Sequence, residues 1–135
     1  MSGEIFLDAS FWIAYRDERQ ELHLQASRII PRLLQEHRMF LTTLPVVCEI
    51  FAHFSRSKIK RRVVADDLFD NPIVIMAELS TTDQREALDL LRSQPDKSYS
   101  LCDALSFVLM RRREISRVLA FDDHFRQFGG FEIVA

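Results

Sequence analysis

Apolar positions along this chain fall either in short solid runs or in stripes at helical spacing. Ile5-Phe6-Leu7 is a solid run bounded by polar residues, so Glu4 to Leu7 reads as a buried strand. Phe11 to Tyr15 suggests a short helix after it. Leu22, Ala26, Ile29, Ile30, Leu33 and Leu34 recur at spacings of three and four, which predicts an amphipathic helix ending near His37. Met39 to Thr42 is a second strand. Thr43 and Pro45 open a helix that runs through Phe54, because proline is tolerated in a first turn. Lys58 to Phe69 is another helix, with its basic residues toward water, and Pro72 to Met76 is a third strand. Ser80 with Asp83 and Ser100 with Asp103 both have capping-box spacing, so helices start there and run to about Arg92 and Arg113. The second of these is apolar on nearly all sides and should be buried. Val118 to Phe121 and Phe131 to Val134 supply two more strands, separated by a short helix and Gly129-Gly130.

Strands alternating with helices predict an α/β sandwich around a mainly parallel sheet. The 135 residues contain no repeat, low-complexity tract or Pro/Gly-rich linker, so one domain spanning 1–135 is expected. A net charge of −2 gives no global basic field that would announce a nucleic-acid partner. No apolar window is long enough for a membrane helix, and Glu4 and Asp8 interrupt the place where a signal peptide would need its apolar core. Cys48 and Cys102 lack C-x-x-C spacing and lie in apolar runs, which predicts small buried hydrophobes in a reducing cytoplasm. A cytoplasmic protein is the expectation.

Four acids interrupt or close these apolar stretches: Asp8 after Ile5-Phe6-Leu7, Glu49 within Val46 to Phe51, Asp103 within Leu101 to Leu105, and Asp122 after Val118 to Phe121. A carboxylate in apolar surroundings must be paired, neutralised or bound to a metal. Basic residues are few beside these positions, and one shared cation explains all four together. Two strand ends and two helix beginnings can meet where parallel α/β sheets bind ligands, outside the carboxyl ends of the strands. Hard oxygen ligands suit Mg²⁺ or Mn²⁺, and such a site can activate water against a phosphodiester.

Each acid also has a local reading. Asp8, Asp103 and Asp122 can all serve as helix caps, Glu49 can turn outward, and Asp83 is read as a cap only. With three glycines there is no phosphate-cradling loop, and no G-x-S-x-G elbow surrounds Ser10. The histidines, His23, His37, His53 and His124, lack H-E-x-x-H spacing and are read as surface residues, so an all-oxygen site is expected. Of the basic groups, Arg111 to Arg113 suit a helix C-terminus, while Arg56, Lys58, Lys60, Arg61 and Arg62 read equally as an RNA contact or a solvated face.

At these residues the chain resembles the PIN-domain ribonucleases, and in length and layout the toxin half of bacterial VapBC-type toxin–antitoxin pairs. Leu7-Asp8-Ala9-Ser10 is similar to the family's strand followed by Asp-x-Ser, and Val46 to Ile50 to the segment bearing its glutamate. Leu101-Cys102-Asp103-Ala104-Leu105-Ser106-Phe107 is close to its third acidic motif, and Ala120-Phe121-Asp122-Asp123-His124-Phe125 to its fourth. Ala120 departs from the hydroxyl residue that many relatives carry two before the acid, and Asp123 competes with Asp122 for the role.

The resemblance implies a three-layer α/β/α sandwich with a five-stranded parallel sheet. It implies Mg²⁺- or Mn²⁺-dependent cleavage of RNA, with Asp8, Glu49, Asp103 and Asp122 as metal ligands and catalytic residues. A cognate antitoxin and a homodimer are the expected protein partners. An antitoxin segment bearing Arg or Lys is expected to reach the acids, with apolar anchors near Phe51 and Phe54. The rival readings are an inactive PIN-like binding module and a receiver-like phospho-acceptor domain. The second fits poorly, since Asp8 stands alone, Ile73 to Ala77 leads to no aspartate and no lysine follows Lys97.

Overall fold

The structure is a computed structural model that describes residues 3–134. Its elements are β1 (Ile5–Leu7), α1 (Ala9–Arg16), α2 (His23–Gln35), β2 (Phe40–Thr43), α3 (Leu44–His53), α4 (Lys58–Leu68), β3 (Val74–Ala77), α5 (Thr81–Ser93), α6 (Leu101–Arg112), β4 (Arg117–Leu119), α7 (His124–Phe128) and β5 (Glu132–Ile133). Every element read from the pattern is present, with its ends shifted by a few residues. β3 begins at Val74 rather than Pro72, because a turn built on Asn71 takes the amides of Ile73 and Val74 first. β4 stops at Leu119 because the amide of Phe121 is already bonded to the Ser10 hydroxyl.

The five strands lie in the order β3-β2-β1-β4-β5, and every pairing is parallel. The sheet is therefore wholly parallel. Crossovers in parallel sheets are right-handed. The chain moves outward from β1 through β2 to β3, then returns past β1 to β4 and β5, so α1–α4 cover one face and α5–α7 the other. Packing agrees: α1 contacts α2 and α3, whereas α6 contacts α5 and α7. This is the expected three-layer sandwich. Its strand order differs from the 2-1-3-4-5 order of flavodoxin-like folds, which removes the receiver-like reading.

β1 is buried on both faces, with Ile5, Phe6 and Leu7 at most 1% exposed, because helices cover it above and below. Each large ring removed from water contributes roughly 1.5–3 kcal/mol. On the α6 side Phe107 stacks on Phe128 at 4.4 Å and meets Phe125 and Tyr99 edge-on at 5.0 and 5.1 Å. That cluster fixes short α7, which could not persist alone. α6 is buried continuously from Asp103 to Met110, as its all-round apolar pattern required.

Asp83 and Asp103 occupy equivalent capping boxes but different surroundings. Both Asp83 oxygens are engaged by Arg112, at 2.8 Å each, and the pair fastens α5 to α6. Burial raises the Asp83 pKa, but Arg112 and the Ser80 hydrogen bonds outweigh it and the net shift is downward. Asp83 is a structural acid, as read.

Candidate active site

The reversal of strand order falls between β1 and β4, and there the ends of two adjacent strands leave a crevice. Asp8 follows β1 directly, and its amide donates to the Leu119 carbonyl of β4 at 3.0 Å. Its side chain caps α1, with Oδ2 accepting from the amide and hydroxyl of Ser10. The Ser10 hydroxyl in turn accepts from the amides of Phe121 and Asp122 at 3.0 and 3.3 Å. One hydroxyl thus ties the first acidic turn to the fourth.

Asp103 sits at the third position of α6 and is 7% exposed. Its Oδ2 accepts from the Ser100 amide at 3.0 Å and lies 2.6 Å from Nδ1 of His124. The same nitrogen is 3.1 Å from Oδ1 of Asp122, which also accepts from the His124 amide at 2.6 Å. Asp103, Asp122 and His124 each offer a ligand atom, all within 4.8 Å of one another. His124, read as a surface residue, lies instead in the crevice between Asp103 and Asp122. His124 was the fourth-motif residue two after Asp122, and its position at the start of a buried-anchored helix was the available signal. Asp123 is exposed and its carboxylate pairs with Arg126, so Asp122 faces the crevice and Asp123 does not.

Glu49 departs from expectation in another way. It is exposed, because Val46, Val47 and Ile50 define the buried side of α3 and Glu49 lies about 100° around the axis from their centre. Neighbours in sequence are not neighbours on a helix. Its carboxyl still faces the cluster. The Glu49 pKa is raised, first by lost hydration toward the crevice and then by the charges of Asp103 and Asp122, against a lowering hydrogen bond from the Cys102 thiol. Glu49 is thus a rim residue. Burial, together with Glu49, Asp8 and Asp103, pushes that thiol far up, which keeps it protonated and unreactive.

Asp8 carries the clearest electrostatic signature. Burial raises its pKa from 3.8 to about 6, with further increments from Asp103 and Asp122, against the lowering hydrogen bonds of Ser10. Its folded pKa exceeds the unfolded one, so the folded state holds the extra proton and stability falls as pH rises from about 4 to about 6. The full penalty at pH 7 is on the order of 3 kcal/mol. Urea unfolding of chelator-treated protein and of Asp8→Asn should therefore converge near pH 4 and separate by pH 7, the variant being more stable. Equal stability at both pH values would remove Asp8 from an acidic cluster.

The donor chemistry fits a divalent cation. Each cap uses one oxygen, and among the described residues no hydrogen bond involves Asp8 Oδ1, Asp103 Oδ1 or Asp122 Oδ2. Local capping and shared ligation are thus compatible, since a carboxylate has two oxygens.

Elsewhere some expectations shift. Cys48 is exposed rather than buried. Phe54, Val64 and Leu68 belong to the core and Phe51 packs partly against it. Large apolar side chains are exposed at several places, among them Ile59, Leu24, Leu44 and Phe69. Arg111 and Arg112 close α6 as its C-terminal charges, and Lys60 is held by the Arg16 carbonyl and Glu18 at 2.6 Å each.

Comparison with known proteins bears on the family and the fold. The family model of the PIN domain matches residues 5–130. The 23S rRNA-specific endonuclease VapC20 of Mycobacterium tuberculosis, strains CDC 1551 and H37Rv, is 29% identical over 130 residues, covering 96% of this chain and 97% of the relative. The crystal structure of M. tuberculosis VapC20, described as a sarcin-ricin loop cleaving toxin, superimposes with a TM-score of 0.83 and 24% identity, covering 97% of this chain and 99% of that one.

Proposed function

The chain belongs to the PIN-domain family, and from that premise we propose that it is a metal-dependent endoribonuclease toxin formed by one domain over residues 1–135. The observation that carries this reading is the cluster of Asp103 and Asp122 at the strand-order reversal, with Asp8 and Glu49 near enough for its charges to raise their pKa values. The 23S rRNA specificity in the name of VapC20 makes a structured ribosomal RNA hairpin the first substrate to test. The reading includes a cytoplasmic location, a cognate antitoxin and a homodimer. It is consistent with the absence, among the described residues, of any helix long and apolar enough to cross a membrane.

Asp8, Asp103 and Asp122 would hold Mg²⁺ or Mn²⁺ through their remaining oxygens, with Glu49 reaching it directly or through water. When bound, such a cation would supply positive charge for a phosphodiester and would lower the pKa of a bound water. Ser10 keeps the two strand-end acids in fixed relation, which is the positioning that hydrolysis of an in-line phosphodiester requires. Glu49, exposed and with a raised pKa, is placed to accept a proton from water at the crevice mouth.

The test is cleavage by antitoxin-free protein of a hairpin with the sarcin-ricin loop sequence, beside transfer RNA, in Mg²⁺, Mn²⁺ and chelator. Cation-dependent scission of the hairpin is expected. A folded, cation-binding protein that cuts neither RNA would instead support the inactive binding module.

A further inference from the structure

His124 lies in the crevice between two of the acids. Its ring is held on three sides. Nδ1 faces Asp103 Oδ2 at 2.6 Å and Asp122 Oδ1 at 3.1 Å, Nε2 meets the Ser98 hydroxyl at 3.3 Å, and the Tyr99 ring packs edge-on at 5.6 Å. A ligating histidine characteristically has its second nitrogen oriented by such an outer partner. Nδ1 of His124 and one carboxylate oxygen each of Asp103 and Asp122 lie within 4.8 Å of one another, close enough to reach one ion. We propose that His124 ligates the cation through Nδ1, making a mixed oxygen and nitrogen donor set that favours Mn²⁺ and Co²⁺ over Mg²⁺. The proposal rests on the metal-site reading above and adds a ligand and a preference to it.

The preference follows from the donors. Mg²⁺ demands hard oxygen ligands and retains its waters, whereas imidazole suits transition ions, whose affinity rises from Mn²⁺ to Co²⁺. The other histidines have different duties: His23 Nδ1 lies 2.8 Å from the Ala14 carbonyl, His53 Nε2 lies 2.8 Å from Asp17, and His37 turns the chain after α2 at a φ of 56°. A nitrogen signal from a bound cation therefore identifies His124.

Two measurements on purified full-length protein test this without relying on cleavage. Pulsed electron paramagnetic resonance of the Mn²⁺-loaded protein should show coupling to a histidine ¹⁴N, which is lost in His124→Ala and in His124→Asn. Calorimetric titration should show Mn²⁺ and Co²⁺ binding weakened about 10-fold or more by His124→Ala, with Mg²⁺ binding changed by less than about 3-fold. Mn²⁺ bound with no ¹⁴N coupling in the parent would overturn His124 ligation alone, leaving the acidic site intact. Uniform weakening of all three ions would overturn the preference. No Mn²⁺ binding by the parent would overturn both this inference and the metal-site reading. If the variants do not fold, the spectrum of the parent protein decides.

Discussion

Asp8→Asn and Asp103→Asn should each slow single-turnover RNA cleavage at least about 100-fold, since a catalytic cation supplies several kcal/mol of transition-state stabilisation. The substitutions are nearly isosteric. Asn caps a helix about as well as Asp, so the remaining amide oxygen can still accept from Ser10 in one case and from the Ser100 amide in the other. What disappears is a negative charge and a hard ligand. Asp123→Asn is the comparator, because that side chain is 71% exposed and pairs with Arg126 at the surface. Asp83→Asn is less suitable, because it would loosen the Arg112 link between α5 and α6. Stopped-time assays in Mg²⁺ and Mn²⁺, with circular dichroism confirming the fold, make the measurement. Parent-like rates for both crevice variants would show that these carboxylates are not the catalytic centre.

Saturating Mn²⁺ should raise the melting temperature of chelator-treated protein on the order of 10 °C at neutral pH. Cation at about 100 times its Kd adds about 2.7 kcal/mol when only the folded state binds, and a domain of this size converts that into roughly such a shift. The acids make the effect larger than an exposed site would. Their mutual repulsion and the burial of Asp8 are relieved on binding, so the increment should grow from pH 5 to pH 7 as Asp8 loses its proton. Asp8→Asn should start higher without metal and gain less from it. Coincident melting curves in chelator and in millimolar Mn²⁺ would count decisively against a shared cation.

Much of this was legible in the chain because local chemistry reports local structure. Ser100 with Asp103 placed the start of α6, and the apolar run after it announced a buried helix. Ile5-Phe6-Leu7 announced a strand covered on both faces. The same local logic misjudged Glu49, where an apolar neighbourhood in sequence was taken for one in space although helical phase turns the residue to the rim. For antitoxin anchors near Phe51 and Phe54 the chain is less informative, because an apolar helix stretch cannot disclose whether its cover is the sheet or another protein, and here Phe54 is core.

The sequence by itself determined the elements, their order, and the placing of Asp8, Asp103 and Asp122 at turns and helix starts, since periodicity and capping act over a few residues. Tertiary structure decided which of these meet. Asp8 and Asp122 are far apart in the chain and come together because β4 pairs with β1, and the Ser10 hydroxyl locks that meeting. The same pairing brings His124 between Asp103 and Asp122, while an identical capping box leaves Asp83 bound to Arg112 away from the crevice. Two identical local signals have different fates because charge pairing and ligation depend on distances of a few ångströms, and only the packed strand order sets those distances.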